Sequence, residues 1–201
     1  MTAPRPVILA SSSETRRKML VAAGLTFAVV NAGPDEEKFK KKLTAAGTAG
    51  NELPLALAKA KAAGVARKHS GALVIGADQT LECDGKRLDK PRSRGEARQQ
   101  LEYLAGKTNS LTSAACVLCE EQVVWAYSDR ACLTMRPLST AFIEFYLEAV
   151  GEENLCATGL YQLEGLGSQL FLSAKGDLFT ILGLPLFPLL EFLRSQGNME
   201  T

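Results

Sequence analysis

The sequence predicts an α/β fold built on a mixed sheet, and three observations lead there. Short apolar runs such as Val7-Ile-Leu-Ala10 and Ala72-Leu-Val-Ile-Gly76 are continuous rather than alternating, as in strands buried on both faces. Segments with helical spacing stand between such runs, which suits parallel strands joined by crossovers. Two long stretches, Ser110–Cys119 and Val123–Met135, flank Glu120-Glu121 with no helix between them. Antiparallel hairpins therefore share the sheet.

In chain order, Pro6–Ala10 reads as a strand and Ser13–Ala23 as a helix ended by Gly24. Thr26–Val30 is a short strand. Asp35–Ala46 and Leu53–Lys68 read as helices on either side of a loop, Gly47–Asn51. Ala72–Gly76 is a buried strand, and Leu81–Leu88 a hairpin about Asp84-Gly85, a strong turn pair. Arg94–Leu104 is a helix stopped by Gly106, after which the two long strands follow. Thr140–Val150 is a helix with Phe142, Phe145, Tyr146 and Ala149 on one face. Tyr161–Gly167 is a glycine-framed turn carrying Glu164, and Ala174–Pro185 reads as a packed loop leading into a last helix that ends near Ser195. No repeat, low-complexity stretch or linker interrupts the pattern, so residues 1–201 form a single domain.

Composition narrows the function classes. With 201 residues, 46% hydrophobic and 22% charged, the chain matches a soluble globular protein with a substantial core. Lys+Arg number 23 against 22 for Asp+Glu, so the basic excess of a duplex-binding surface is missing and nucleic acid is not an expected partner. Local clusters of lysine and arginine favour a small anionic ligand instead. No apolar run reaches the roughly 18 residues that span a bilayer, because Gly183, Pro185 and Pro188 break the greasiest segment; no membrane partner is expected. No secretory stretch follows Met1–Pro6, and five cysteines are an odd number for a disulfide framework. A cytoplasmic location with reduced thiols fits both. Cys116 and Cys119 lie three apart in a strand, pointing to opposite faces, which argues against a metal or redox pair.

The richest stretch chemically is Ala10-Ser-Ser-Ser-Glu-Thr-Arg-Arg17, where a buried strand runs into a helix. A helix start offers unpaired N–H groups and partial positive charge, a setting for phosphate. Arginines in a first turn oppose the dipole unless an anion joins them; a serine cap beside solvated arginines is the plain alternative. Asp78, in Gly76-Ala-Asp-Gln-Thr80, directly follows a parallel-type strand, where α/β folds place ligands, and Gly76 and Ala77 give a ligand room to approach. A turn aspartate would also fit. Lys90 precedes Pro91 and so projects from extended backbone, although a solvated hairpin lysine is the plain alternative and the stronger one for this residue by itself. Lys61 lies among Ala58, Ala62 and Val65 at helical spacing, a cation on a small-residue face. Asp35-Glu36-Glu37 opens a helix, where carboxylates suit the dipole; metal binding is the weaker reading. The Gly-x4-Gly-Lys phosphate loop, His-Glu-x-x-His and Gly-x-Ser-x-Gly are all missing. A general base is therefore a carboxylate, with Asp78 the leading candidate.

These residues together resemble the Maf family of nucleoside triphosphate pyrophosphatases. The resemblance rests on Leu-Ala-Ser-Ser-Ser-Glu-Thr-Arg-Arg, Leu-Ala-x-x-Lys-Ala ending at Lys61-Ala62, Gly-Ala-Asp-Gln-Thr, Asp-Lys-Pro, Glu-Gly-Leu-Gly and Gly-Leu-Pro-Leu, in that order. It implies a strongly twisted central sheet flanked by helices, like that of the inosine triphosphatases, with a cleft between two lobes. It also implies hydrolysis of nucleoside triphosphates to the monophosphate and pyrophosphate, by metal-assisted attack of water at the α-phosphorus. A divalent metal cation (Mg²⁺, with Mn²⁺ as alternative), a homodimer and the cytoplasm complete the implied picture. Residue by residue, Ser11, Ser13, Arg16 and Arg17 would hold the triphosphate, with Lys61 and Lys90 adding charge. Asp78 would accept the proton of water and, with Glu36, hold the metal. Thr15, Gln79 and Glu164 match positions that select the base. The Asp78-Gln79 pair is similar to the branch acting on 7-methyl-GTP, yet Thr15 stands where that branch usually has tryptophan, and Asn109 where the family often has histidine. A nucleotide-binding regulator of cell division without turnover is the alternative reading.

Overall fold

The computed structural model describes residues 4–31, 43, 52–151, 161 and 163–200. The expected helix Asp35–Ala46 (Leu43 apart), the loop Gly47–Asn51, Glu36 and Cys156 lie outside the described residues. Among the described residues, seven strands form one sheet, in the order β2-β1-β3-β5-β6-β7, with β4 paired to β3. The strands are β1 (Val7–Ala10), β2 (Ala28–Val29), β3 (Leu73–Cys83), β4 (Lys86–Leu88), β5 (Thr108–Cys119), β6 (Gln122–Met135) and β7 (Phe171–Lys175). The helices are α1 (Glu14–Ala22), α2 (Glu52–Ala66), α3 (Arg94–Leu104), α4 (Thr140–Val150), α5 (Leu178–Leu182) and α6 (Leu186–Ser195). The sheet is mixed: β1 runs parallel to β2 and β3, whereas β4 is antiparallel to β3 and β7 to β6. No described helix is long and apolar enough to cross a membrane.

The chain divides into two compact units, Met1–Gln79 with Thr112–Asp129 and Gly183–Thr201, and Thr80–Leu111 with Arg130–Leu182. Each has its own apolar centre. In the first, Ile8, Val74, Cys116 and Leu118 of the sheet pack with Ala58, Ala62, Val65 and Ala66 of α2. In the second, Leu81, Leu111 and Leu133 pack with Leu101 and Leu104 of α3 and with Ile143, Tyr146 and Leu147 of α4. Arg94 and Arg98 of α3 pair with Glu144 and Glu148 across the α4 surface.

Local chemistry explains most boundaries. Ser13, Ser93 and Ser139 each cap a helix by accepting a backbone N–H three residues on. The β3–β4 hairpin turns at Asp84 (φ 51°) and Gly85 (φ 73°), and the β5–β6 hairpin at Glu120 (φ 49°) and Glu121 (φ 67°). Paired positive φ values match the twist of the flanking strands, even where glutamates must adopt them.

Four expectations need correction. Strand β3 does not stop at Gly76; it is parallel to β1 as far as the Ala10↔Gly76 pair and antiparallel to β4 from Leu81↔Leu88. Asp78 thus lies inside a strand, in the stretch where that strand changes partner. Gly76 leaves room for a helix, not a ligand: a Cβ there would fall 2.1 Å from the Ala58 carbonyl oxygen of α2. On α4 the buried residues are Ile143, Tyr146 and Leu147, so of the face carrying Phe142, Phe145, Tyr146 and Ala149 only Tyr146 is buried, and Phe145 is exposed. The segment Ala174–Pro185, read as a packed loop, holds the end of β7 and all of α5; β7 is a largely exposed edge strand whose sequence lacks alternation.

Candidate active site

The first unit gathers most of the candidate residues. At the β1–α1 junction Ser11 Oγ accepts from the Ser13 N–H at 3.3 Å and from Arg16 Nη1 at 3.2 Å. Ser13 Oγ caps α1 by accepting from the Arg16 N–H. The two serines therefore build the turn and seat Arg16. The Arg16 side chain is buried, its Nε donating to the Gly183 carbonyl at 2.8 Å and its Nη1 to the Ala77 carbonyl at 3.0 Å. A planar fork with five donors suits a group that must tie three fixed acceptors together.

Arg17, one residue on, turns away by the helical period. It is exposed and donates from Nε to Glu14 Oε2 at 2.8 Å, with its Nη2 also against Glu14. Arg17 holds the Glu14 carboxyl below its ordinary range, and Glu14 raises the guanidinium in return. Glu14 offsets the unfavourable placement of a cation in the first turn. Thr15 is half-buried on the same helix.

Asp78 and Lys61 form an ion pair, Lys61 Nζ to Asp78 Oδ1 at 2.6 Å, with side chains only 10% and 12% exposed. The reason is local. Gly76 and Asp78 share one face of β3, two residues apart, and Ala58, Lys61 and Ala62 share one face of α2. The bare backbone at Gly76 lets that helix approach closely, which brings the lysine of one element to the carboxylate of the other. A buried pair of this kind is strongly destabilised if one member is removed. Gln79, on the opposite face, donates from Nε2 to Ser113 Oγ of β5 at 3.0 Å.

Sequence reasoning assigned no role to three participants: the carbonyls of Ala77 and Gly183, and the Ser113 hydroxyl. Gly183 has φ +104°, and a Cβ there would lie 3.6 Å from both Arg16 Nη2 and Gln79 Oε1. The Gly-Leu-Pro motif was the available signal, but nothing in its composition indicated contact with residues near the opposite end of the chain.

Lys90 and Glu164 belong to the second unit, and both are exposed. Lys90 sits between Asp89 and a buried Pro91, and the Asp89 carbonyl accepts from Gln100 Nε2 at 2.7 Å. Glu164 lies in the turn before the 3₁₀ segment Leu166–Leu170. Asn109 is buried, its Oδ1 accepting from the Tyr161 hydroxyl at 3.2 Å and its Nδ2 unpartnered. Burial pushes the Tyr161 phenol upward and the Cys116 thiol up to about 12. Cys83, Cys116, Cys119 and Cys132 are free thiols.

Among the described residues no three His, Cys, Asp or Glu side chains cluster as a metal cage. Asp78 alone fits a weaker role. With Oδ1 committed to Lys61, its carboxylate still has a second oxygen, and Mg²⁺ characteristically takes one or two protein carboxylates, phosphate oxygens and water.

The family model and the related sequences agree with each other. The family model described as Maf-like protein matches residues 6–196. A nucleoside triphosphate pyrophosphatase of Paramagnetospirillum magneticum is 48% identical over 96% of this chain and 99% of its own length. A 7-methyl-GTP pyrophosphatase of Rhizobium meliloti is 46% identical over 96% of this chain and 98% of its own. A solved HAM1 protein from Coxiella burnetii overlaps 65% of this chain and 73% of its own, at a TM-score of 0.37 and 12% identity.

Proposed function

The chain belongs to the Maf family, and on that premise we propose that it hydrolyses nucleoside triphosphates to nucleoside monophosphate and pyrophosphate. The observation that carries this reading is the buried Lys61–Asp78 pair, set beside the Arg16 clamp on Ala77. A carboxylate and two cations within one short stretch of structure are what water attack on a polyphosphate needs.

In this reading Asp78 orients a water molecule and takes its proton as the water oxygen bonds to the α-phosphorus. The bond from that phosphorus to the bridging oxygen breaks, and pyrophosphate leaves with the electron pair. Lys61 holds Asp78 in place and faces the developing charge on the phosphoryl oxygens. Arg16, fixed by Ser11 and two carbonyls, supplies a cation whose position need not change during reaction. Arg17 and Lys90, both exposed, attract the outer phosphates, and Ser11 and Ser13 shape the turn that receives them. Asp78 would hold a divalent cation, Mg²⁺ or Mn²⁺, that arrives with the triphosphate and neutralises phosphate charge. Thr15, Gln79 and Glu164 face the base in this assignment, Gln79 with its amide oriented by Ser113.

We also infer a homodimer, and the apolar side chains exposed in the first unit, Val123, Val124, Tyr127 and Phe187, support it. The reaction belongs in the cytoplasm, where free thiols stay reduced. The test is pyrophosphate release with Mg²⁺ from 7-methyl-GTP, dTTP, UTP and ITP. Pyrophosphate and monophosphate in equal amounts support the reading; inorganic phosphate as the sole product, or binding without turnover, refutes it.

A further inference from the structure

Resting on the assignment of Lys90 to the triphosphate, we propose that Gln100 is a positioning residue for Lys90. Its side-chain amide holds the peptide from which the lysine projects, and so sets affinity for the substrate. Gln100 Nε2 donates to the Asp89 carbonyl at 2.7 Å, and that carbonyl belongs to the peptide joining Asp89 to Lys90. Pro91 follows, keeping Lys90 in extended backbone. One turn earlier on α3, Glu96 Oε2 accepts the Arg92 N–H at 2.8 Å. Glu96 and Gln100, four apart on one helix face, therefore tie the turn at both ends.

Polar ties matter here because Asp89, Lys90, Arg92 and Ser93 are all exposed. The turn borders a groove of about 400 Å³ lined by Lys86, Leu88, Glu96, Gln100 and Tyr103. Lys90 is exposed, and it projects from the peptide that Gln100 holds.

Gln100 also carries a cost that stability does not explain. Its Oε1 is buried without a hydrogen-bond partner. A methionine of similar length would remove that unmet acceptor, and the Asp89 carbonyl, whose bond to Gln100 lies at the surface, could take water instead. What methionine cannot supply is the bond to Asp89.

The test compares Gln100→Met and Gln100→Glu with Lys90→Ala and the double variant Gln100→Met/Lys90→Ala. The substrate is the fastest triphosphate of the panel above, and kcat, KM and melting temperature are measured. Gln100→Met is expected to raise KM about tenfold with kcat nearly unchanged and no loss of melting temperature. In the Lys90→Ala background the same substitution should change KM by less than about twofold. Gln100→Glu keeps the length but has no N–H to donate, so it should reproduce the KM effect even if the methionine variant misfolds. An equal KM rise in both backgrounds overturns the proposal, as does no rise where Lys90→Ala alone raises KM. A wild-type KM for Lys90→Ala overturns the assignment of Lys90 itself, and the positioning role with it, while leaving Asp78 as the base intact.

Discussion

The two units carry charge in opposite ways. In the first, Arg16 and Asp78 are buried and the Lys61 side chain is only 10% exposed, and each is already bonded to fixed protein groups. In the second, Lys90 and Glu164 stand exposed on turns, and the carbonyl of the Asp89–Lys90 peptide accepts from the Gln100 side-chain amide. Buried charges fixed in advance cost nothing to reorganise during a reaction, so they suit the bond-breaking step. Exposed charges on turns adapt to a ligand and are screened by salt, so they suit capture and selection. If this division holds, substitutions at the buried charges of the first unit should act on kcat and stability, and those at exposed cations of either unit on KM.

The largest expected effect is at the centre of the buried cluster. Asp78→Asn keeps size and can still engage Lys61, but it cannot take a proton. Pyrophosphate release should fall by about 10²–10⁴-fold with KM little changed. An unaltered kcat would break the comparison at its strongest point. Next is Lys61→Met, which strands a buried carboxylate and should cost about 3–5 kcal/mol in urea unfolding. The Lys61→Met/Asp78→Asn double variant should recover much of that stability and none of the activity. Recovery of both would mean that the pair is structural only.

How much of this was legible in the sequence depends on how local each cause is. The Ser13 cap, the Asp84-Gly85 hairpin and the β1–α1 junction are set by neighbouring residues, and each appears where the pattern places it. Asp78 and Lys61 stood out by residue type, yet their contact was invisible because it depends on Gly76 admitting α2. Gly76 itself was misread for the same reason: a glycine signals close approach without naming what approaches. Adjacent Arg16 and Arg17 looked equivalent, and only tertiary contact with Gly183 and Ala77 separates them. On α4 two apolar stripes overlap at Tyr146, and packing rather than periodicity chose between them.

A pH experiment sharpens the contrast between the units through stability alone. Burial pushes Cys116 of the first unit and Tyr146 of the second each up to about 12. Both are neutral when protonated, so a raised folded value means that the native state keeps its proton while the unfolded chain loses it. Their contribution is fully present below the unfolded values, about 8.5 for cysteine and 10 for tyrosine, and disappears as pH rises toward 12. For Cys116 the loss at pH 10 is about 2 kcal/mol. Cys116→Val should therefore flatten the decline between about pH 9 and 10, and Tyr146→Phe only the part above about pH 10. A decline unaffected by either variant would show that other groups titrate on unfolding.

The smallest effect is expected at Arg17, and it tests whether exposure rather than sequence position decides a cation's role. Arg17 neighbours Arg16 but among the described residues pairs with Glu14 at the surface, so its removal leaves no buried partner unmet there. Arg17→Ala should leave the melting temperature within error, raise KM about threefold at low salt and lose even that effect near 0.5 M salt. Arg16→Ala, by contrast, strips hydrogen bonds from the Ala77 and Gly183 carbonyls and should lower kcat at any ionic strength. A salt-independent fall in kcat for Arg17→Ala would move that residue into the chemical step, and the line between fixed and adaptable charge would then run elsewhere than between buried and exposed.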